Sequence, residues 1–344
     1  TAQALLASMA GMYAAYHGPD GLIRIASNIH TGASYLAARL EELGYKLVHK
    51  NFFDSLLVEL PEGVSTESIK TLTEEKEINF YYPGQTSVQF TTDETTCEER
   101  LNEILEIFSI AVQKGIHFKK AIKSSTSFDP LFTRKSSILH QETFNSYQSE
   151  TEMMRYIRML ERKDISLTQS MISLGSCTMK LNAASQLIPV SWPEFASLHP
   201  FVPINQTEGT HQLINELENA LKEITGFETI SFQPNSGAAG EYAGLMVIQA
   251  YHKDRGDLKR NVVLIPASAH GTNPASAVMA GLKVKVVNCD EHGNIETEHL
   301  KQLAEEFSEV LSSIMITYPS THGVFEDNIR EIIDIVHTNG GQVY

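Results

Sequence analysis

Residues 261–274 read NVVLIPASAHGTNP, an unbroken apolar run that leads directly into small and polar residues. An apolar run without alternation is typical of a strand that is buried on both faces of a parallel sheet. Similar runs recur along the neighbouring sequence, and segments with helical spacing separate them. Strands are predicted at 229–233, 261–266, 283–288 and 313–317, and helices at 236–253, 274–280, 297–310 and 326–338. This alternation predicts an α/β domain with a mostly parallel sheet.

The sequence ends with NGGQVY at residues 339–344, which predicts a helix end followed by the first three residues of a further strand. Strands average about five to six residues. We therefore expect this α/β domain to be truncated within its own sheet.

The N-terminal third has a different organisation, with mixed short strands and helices. Helices are predicted at 1–16, 21–43, 67–75 and 98–112, and strands at 45–48, 55–60, 78–82 and 87–90. The turn sequence HGPDG at 17–21 separates the first two helices. The pattern predicts a small α+β domain over 1–115, a linker and arm helix over 116–165, and the α/β domain over 166–344.

The predicted arm helix covers 149–164, with Ser149 or Thr151 as its N-cap. Its apolar residues at helical spacing are expected to be buried. They are Met154, Ile157, Met159 and Leu160.

Charge and cysteine content exclude several classes of protein. There are 27 Lys and Arg residues against 42 Asp and Glu, a formal net charge of −15, which argues against nucleic acid as a partner. Three cysteines (Cys97, Cys177, Cys289) cannot form a disulfide framework, so a reducing compartment is expected. The uncharged residues 1–19 lack the basic start of a signal peptide and favour an Ala-rich buried helix. We expect no membrane partner, and a location in the cytoplasm, or in the mitochondrial matrix of a eukaryote.

The sequence PNSGAAGEYAG at 234–244 follows a predicted strand and opens a helix. Small residues at a helix start allow a phosphate group to approach the free backbone N–H groups and the positive end of the helix dipole. The spacing matches neither the Walker A motif nor GxGxxG. Tight packing of helix on sheet is the alternative explanation.

Two further polar loops, at 266–274 and 318–323, follow predicted strands. Ligands in open α/β sheets bind at the carboxyl ends of the strands. His270 in the first loop has the chemistry to stack on or hydrogen-bond a planar cofactor, and capping of the short helix after it is the alternative. The second loop, YPSTHG, carries another histidine, so a site is more strongly indicated by the two loops together.

The segment LGSCTMKLN at 174–182 is a further polar loop, and it lies between two apolar stretches. A nucleophilic Cys177 needs a paired histidine, and no neighbouring residue supplies one, which disfavours a hydrolase. No metal is predicted, because spacings such as HExxH and CxxC are absent from the sequence.

Several of these segments resemble the P-protein family of the glycine cleavage system. The resemblance is carried by TAQALLASMAGMYAAYHGP (1–19), SETEMMRYIRMLERKDISL (149–167), SLGSCTMKLNA (173–183), SWPEFASLHPF (191–201), QPNSGAAGEYAG (233–244), IPASAHGTNPASA (265–277) and TYPSTHG (317–323). It implies a pyridoxal 5'-phosphate enzyme of the aspartate-aminotransferase-like fold, fold type I. The family has two homologous halves, and the resemblance places this chain across their junction as an internal fragment.

The resemblance also implies site residues. Ser236, Gly237 and Ala238 would hold the cofactor phosphate, His270 would stack on the pyridine ring as the catalytic histidine, and Thr321 or His322 would lie near the phenolic oxygen. The Ser176-Cys177-Thr178 loop would border the substrate pocket.

The implied reaction is glycine decarboxylation, with transfer of the aminomethyl group to the lipoyl arm of a partner, the H protein. The resemblance places the family's Schiff-base lysine and the acidic partner of the pyridine nitrogen beyond Tyr344, and Lys180 does not match that lysine. The complete protein is therefore expected to be the enzyme, as a homo-oligomer or an assembly of two halves, and this chain is expected to be inactive.

Two other functions compete with this one. A non-catalytic assembly or interaction fragment is the alternative, because an unfinished sheet exposes strand edge and apolar surface. A nicotinamide-dependent dehydrogenase is disfavoured by the lack of GxGxxG.

Overall fold

A computed structural model of the chain describes residues 4–115, 131–166, 169 and 183–344. The described residues divide into two compact units, one up to residue 164 and the other from residue 165 onward. The domain boundaries at 115 and 165 stay predictions. In the described part of the chain, no helix combines the length and the apolar character needed to cross a membrane.

The first unit is built from a three-stranded sheet and the helices packed on it. Its elements are α1 (Ala4–Leu43), β1 (Lys46–Leu47), β2 (Ser55–Glu59), α2 (Thr66–Glu75), β3 (Ser87–Thr91), α3 (Glu98–Ala111), α4 (Thr143–Ser146) and α5 (Glu150–Glu161). The strands are antiparallel in the order β1-β2-β3. Leu36, Leu40, Leu56, Leu105 and Phe108 lie in one apolar core, so the predicted α+β character of this unit is confirmed.

The predicted interruption near residue 18 is confirmed inside α1. Gly18 has φ of +62° and ψ of 178°, a backbone conformation that breaks the helix into two segments. A Cβ at this position would overlap the side-chain amide of Gln148 and lie 2.9 Å from the carbonyl oxygen of Phe144. Glycine is therefore required here both by the positive φ and by the close approach of the chain.

Two predictions in the first unit are wrong. Residues 78–82 form no strand, because only Tyr81 pairs with Gln89, through an isolated bridge. In α5, Ser149 is the N-cap as predicted, but Met154, Ile157 and Met159 are exposed rather than buried, and Leu160 is half-buried. Their spacing marks one face of the helix, and nothing in the described part of the unit buries that face.

The second unit contains a parallel sheet flanked by helices. Its elements are α6 (Ala184–Leu187), α7 (Pro193–Ala196), α8 (Glu208–Thr225), α9 (Gly237–Asp254), β4 (Val262–Pro266), α10 (Thr272–Met279), β5 (Lys283–Val287), α11 (Thr297–Glu306), β6 (Leu311–Ile314), α12 (Ile329–Thr338) and β7 (Gln342–Val343). The strand order is β5-β4-β6-β7 and all three pairings are parallel. The prediction of an α/β domain with a parallel sheet is confirmed.

The lack of alternation in β4 is explained by helices on both faces of the sheet. Val262 and Leu264 pack into a core with α11 and α12, whereas Val263 and Ile265 pack into a second core that includes Leu245 of α9. All of β4 is buried. Successive residues point to opposite faces of a strand, so a strand covered on both sides needs apolar residues at every position.

The approach to α9 differs from the sequence-based prediction. Residues 229–233 are not a strand, and none of the strands in the described ranges pairs with them. A segment with alternating apolar residues forms a strand only where a neighbouring strand pairs with it through backbone hydrogen bonds. Helix α8 was not predicted, although its apolar residues recur at helical spacing and Gly226, with φ of +75°, caps its end.

Candidate functional site

The order of the strands defines one crevice at the carboxyl edge of the sheet. From β4 the chain moves through α10 to β5 on one side, then returns through α11 to β6 on the other side of β4. The order therefore reverses between β4 and β6, and such a switch point is where open α/β sheets bind ligands. The loops after these two strands are the segments around His270 and around Thr321 and His322.

The third candidate segment is the start of α9. Ser236 is the N-cap, and its Oγ accepts a hydrogen bond from the backbone N–H of Ala239 at 3.1 Å. The N–H groups of Gly237 and Ala238 lie in the first turn, where a helix provides no internal acceptor. Apart from the adjacent residues and the backbone of α9 itself, no atom lies within 4 Å of the position that a Cβ on Gly237 would occupy. This turn therefore combines free donors, the positive end of the helix dipole and open space.

His270 lies at the entrance to α10 and is exposed. Its Nδ1 accepts a hydrogen bond from the backbone N–H of Thr272 at 3.2 Å and lies 3.0 Å from Thr272 Oγ1. The histidine therefore makes the capping contact that was the alternative explanation for it. The capping contact occupies Nδ1, and the exposed ring remains accessible to a planar ligand.

Glu241 joins α9 to α10. Thr272 Oγ1 donates to Glu241 Oε1 at 2.9 Å, and Ser276 Oγ donates to Glu241 Oε2 at 2.8 Å. Because Glu241 lies on the second turn of α9 and Thr272 opens α10, the two helix starts are held at the same edge of the sheet. This residue was not predicted, and no local pattern distinguishes it from an ordinary helical glutamate.

The loop after β6 is tied to the loop after β4. The Thr321 hydroxyl donates to the backbone carbonyl of Ser268, directly across the switch point. The loop contains a cis peptide bond between Tyr318 and Pro319. Thr321 is half-buried and already hydrogen-bonded, whereas His322 is exposed.

A buried glutamate follows the same loop in the sequence. Glu326 is 3% exposed, and both of its carboxylate oxygens lie 3.1 Å from the backbone N–H of Ile295 that donates to them. Burial raises the pKa of this carboxyl, and the negative charges of Asp290 and Asp327 raise it further, while the Ile295 hydrogen bond opposes the shift. Glu326 was not predicted, because its burial depends on contacts distant in sequence.

The structure thus brings Ser236, Gly237 and Ala238, His270, and Thr321 with His322 to one edge of one sheet. Ser176, Cys177 and Thr178, and also Lys180, lie outside the described residues. Across the ranges that the structure describes, no group of three His, Cys, Asp or Glu side chains is arranged to hold a metal ion.

Comparisons with known proteins agree with the sequence motifs. Residues 1–108 match the sequence model of the family described as glycine cleavage system P-protein. The whole chain is 52% identical to a glycine dehydrogenase (decarboxylating) of Christiangramia forsetii and 53% identical to one of Bacteroides thetaiotaomicron. In both alignments the chain spans 36% of the relative's length.

A solved structure titled as the glycine decarboxylase P-protein of the glycine cleavage system, in inhibitor-bound form, is also similar. It matches with a TM-score of 0.48 and 16% identity, over 62% of this chain and 45% of that chain. The sequence matches confirm the family resemblance seen in the motifs.

Proposed function

We propose that this chain, which is related over its whole length to the glycine cleavage system P proteins, forms part of the pyridoxal 5'-phosphate site of a glycine dehydrogenase (decarboxylating). The observation that carries the proposal is the identity of 52–53% to proteins of that name across all 344 residues. Because the chain spans 36% of their length, the activity is proposed for a protein of their length that contains this chain.

The residues at the switch point fit such a cofactor. A phosphate monoester needs several N–H donors and a positive potential, and the first turn of α9 offers both around Ser236, Gly237 and Ala238. An aromatic ring needs a flat partner that is not enclosed by other side chains, and His270 is exposed on the neighbouring loop. The clamp through Glu241 holds these two contacts on adjacent helix starts.

In the proposed site, the α9 turn binds the phosphate and His270 stacks on the pyridine ring. Thr321 or His322 lies near the phenolic oxygen, and the Ser176-Cys177-Thr178 loop borders the glycine pocket. Pyridoxal phosphate supplies the electron sink that allows glycine to lose its carboxyl group as CO₂. The chain's own residues bind and orient the cofactor in this scheme.

The proposed partner is the lipoylated H protein. Its lipoyl disulfide opens as one sulfur takes the aminomethyl group left by decarboxylation and the other becomes a thiol. Glycine is thereby oxidised and the disulfide is reduced, so the carrier serves as both acceptor and oxidant.

A pair of matched variants tests the phosphate contact. Gly237→Asp places a carboxylate in the first turn of α9, and Gly209→Asp places one in the first turn of α8, where a Cβ also meets no atom within 4 Å. An acidic residue in the first turn favours a helix in both cases. Two unit charges about 4 Å apart repel by about 1 kcal/mol in water and about 4 kcal/mol near a protein surface. We therefore expect at least about fivefold weaker binding of pyridoxal phosphate to Gly237→Asp only.

Equilibrium dialysis of each variant against pyridoxal phosphate measures this difference. Equal affinities for the two variants would show that the first turn of α9 does not bind the phosphate of the cofactor. The reaction itself is tested by exchange of labelled bicarbonate into the glycine carboxyl group, with lipoylated H protein and a protein of the relatives' length. No exchange above that of a protein-free control would overturn the proposed activity.

A further inference from the structure

The hydroxyl of Thr272 lies between two groups that compete for its single proton. Glu241 Oε1 is 2.9 Å from the hydroxyl oxygen, and His270 Nδ1 is 3.0 Å from it. Hydrogen bonds to ionised acceptors are roughly twice as strong as those between neutral groups. The Thr272 hydroxyl therefore donates its hydrogen bond to the carboxylate of Glu241. His270 Nδ1 accepts a hydrogen bond only from the backbone N–H of Thr272.

The same carboxylate is also held from its other oxygen. Ser276, which is 4% exposed, donates to Glu241 Oε2 at 2.8 Å from the second turn of α10. Glu241 thus contacts two successive turns of α10 while lying on α9, close to the Ser236 cap. A shift of this side chain would change the separation between the α9 turn and His270.

We propose that Glu241 is a positioning residue of the candidate site. By accepting hydrogen bonds from the Thr272 and Ser276 hydroxyls it fixes α10 against α9, and it keeps the Thr272 hydroxyl from donating to His270 Nδ1. His270 is thereby set at a fixed position and in a fixed hydrogen-bonding state relative to the α9 turn. The importance of that position for cofactor binding rests on the proposed function, whereas the coupling between Glu241 and His270 does not.

The coupling is measured directly on the 344-residue chain by histidine ¹⁵N NMR without any ligand. His270 is assigned among the 13 histidines from the signal missing in His270→Gln. In Glu241→Ala the freed Thr272 hydroxyl donates to Nδ1, so the Nδ1 resonance is expected to move to lower frequency. Glu241→Gln keeps a carbonyl acceptor for that hydroxyl and is expected to leave the resonance near its original position.

Ser276→Ala is the matched control, because it also removes one hydrogen bond to Glu241 but does not involve the group that contacts His270. In Ser276→Ala the His270 Nδ1 resonance is expected to stay unchanged. Circular dichroism is used to check that each variant is folded. An unmoved resonance in Glu241→Ala, or an equal shift in Ser276→Ala, would overturn the coupling.

A second measurement compares the affinities of each variant for two ligands, inorganic phosphate and pyridoxal phosphate. Glu241→Ala is expected to bind inorganic phosphate, which needs only the α9 turn, within about twofold of the unmodified chain, and pyridoxal phosphate about tenfold more weakly. Glu241→Gln is expected to restore the second affinity. Equal losses for both ligands would contradict a positioning role. If the unmodified chain does not bind pyridoxal phosphate, the proposed function is decided by a protein of the relatives' length, and the NMR result decides the coupling.

Discussion

Replacement of two glycines of α9 by alanine is expected to have different effects on stability. At Gly240 a new Cβ meets no atom within 4 Å, whereas at Gly244 it overlaps the ring of Tyr344. The Tyr344 backbone is held against the end of β6, since its N–H donates to the Ile314 carbonyl and its carbonyl accepts from Ile316 N–H, each at 2.9 Å. The ring can move away only by changing its side-chain torsions.

The magnitude follows from two opposing terms. Alanine is favoured over glycine inside a helix by about 0.5–1 kcal/mol, and this gain applies to both positions. A methyl group forced into a filled space costs about 1–3 kcal/mol. We therefore expect Gly240→Ala to stabilise the unit and Gly244→Ala to be less stable than Gly240→Ala by about 1–3 kcal/mol, the overpacking cost alone.

Urea unfolding measures this difference through the fluorescence of Trp192. It is the single tryptophan of the chain and lies in the same unit as α9, so its signal reports the unfolding of that unit. Gly244→Ala should also cost less when Tyr344 is replaced by alanine, since the clash is then gone. The reasoning fails if both glycine variants change the free energy of unfolding equally, or if the Tyr344 background makes no difference.

Three further changes test the sheet and its loops by the same unfolding measurement. Leu264→Ala empties a fully buried position in the central strand and is expected to cost about 2–5 kcal/mol, and a cost under 1 kcal/mol would contradict the two-sided core. Thr321→Val removes the hydrogen bond to the Ser268 carbonyl and is expected to cost about 1 kcal/mol, with no loss refuting the link across the switch point. The raised pKa of Glu326 means that the folded state holds this proton more tightly than the unfolded state, so stability should fall as pH rises from the ordinary pKa of a glutamate through the raised value. Glu326→Gln is expected to reduce that dependence, and an unchanged pH profile would show that Glu326 does not cause it.

The loops that carry the candidate site were predictable to the extent that their signals are local. The apolar run at β4, the small residues at the start of α9 and the polar loop with His270 each follow from residues adjacent in sequence. The strand predicted at 229–233 was wrong for the same reason, since strand propensity is local but strand pairing is not. Apolar spacing in α5 likewise identified a face without revealing that the face is exposed.

By itself the sequence determined the α/β class, the parallel sheet and the family resemblance, because periodicity and motifs are properties of consecutive residues. Only the tertiary structure decided that the strand order reverses between β4 and β6, which places the His270 and Thr321 loops beside one another. It also decided that Glu241 contacts Thr272, 31 residues away in sequence. A hydrogen bond between two helices depends on how both pack against the sheet, and that packing is set by the buried residues of all the elements together.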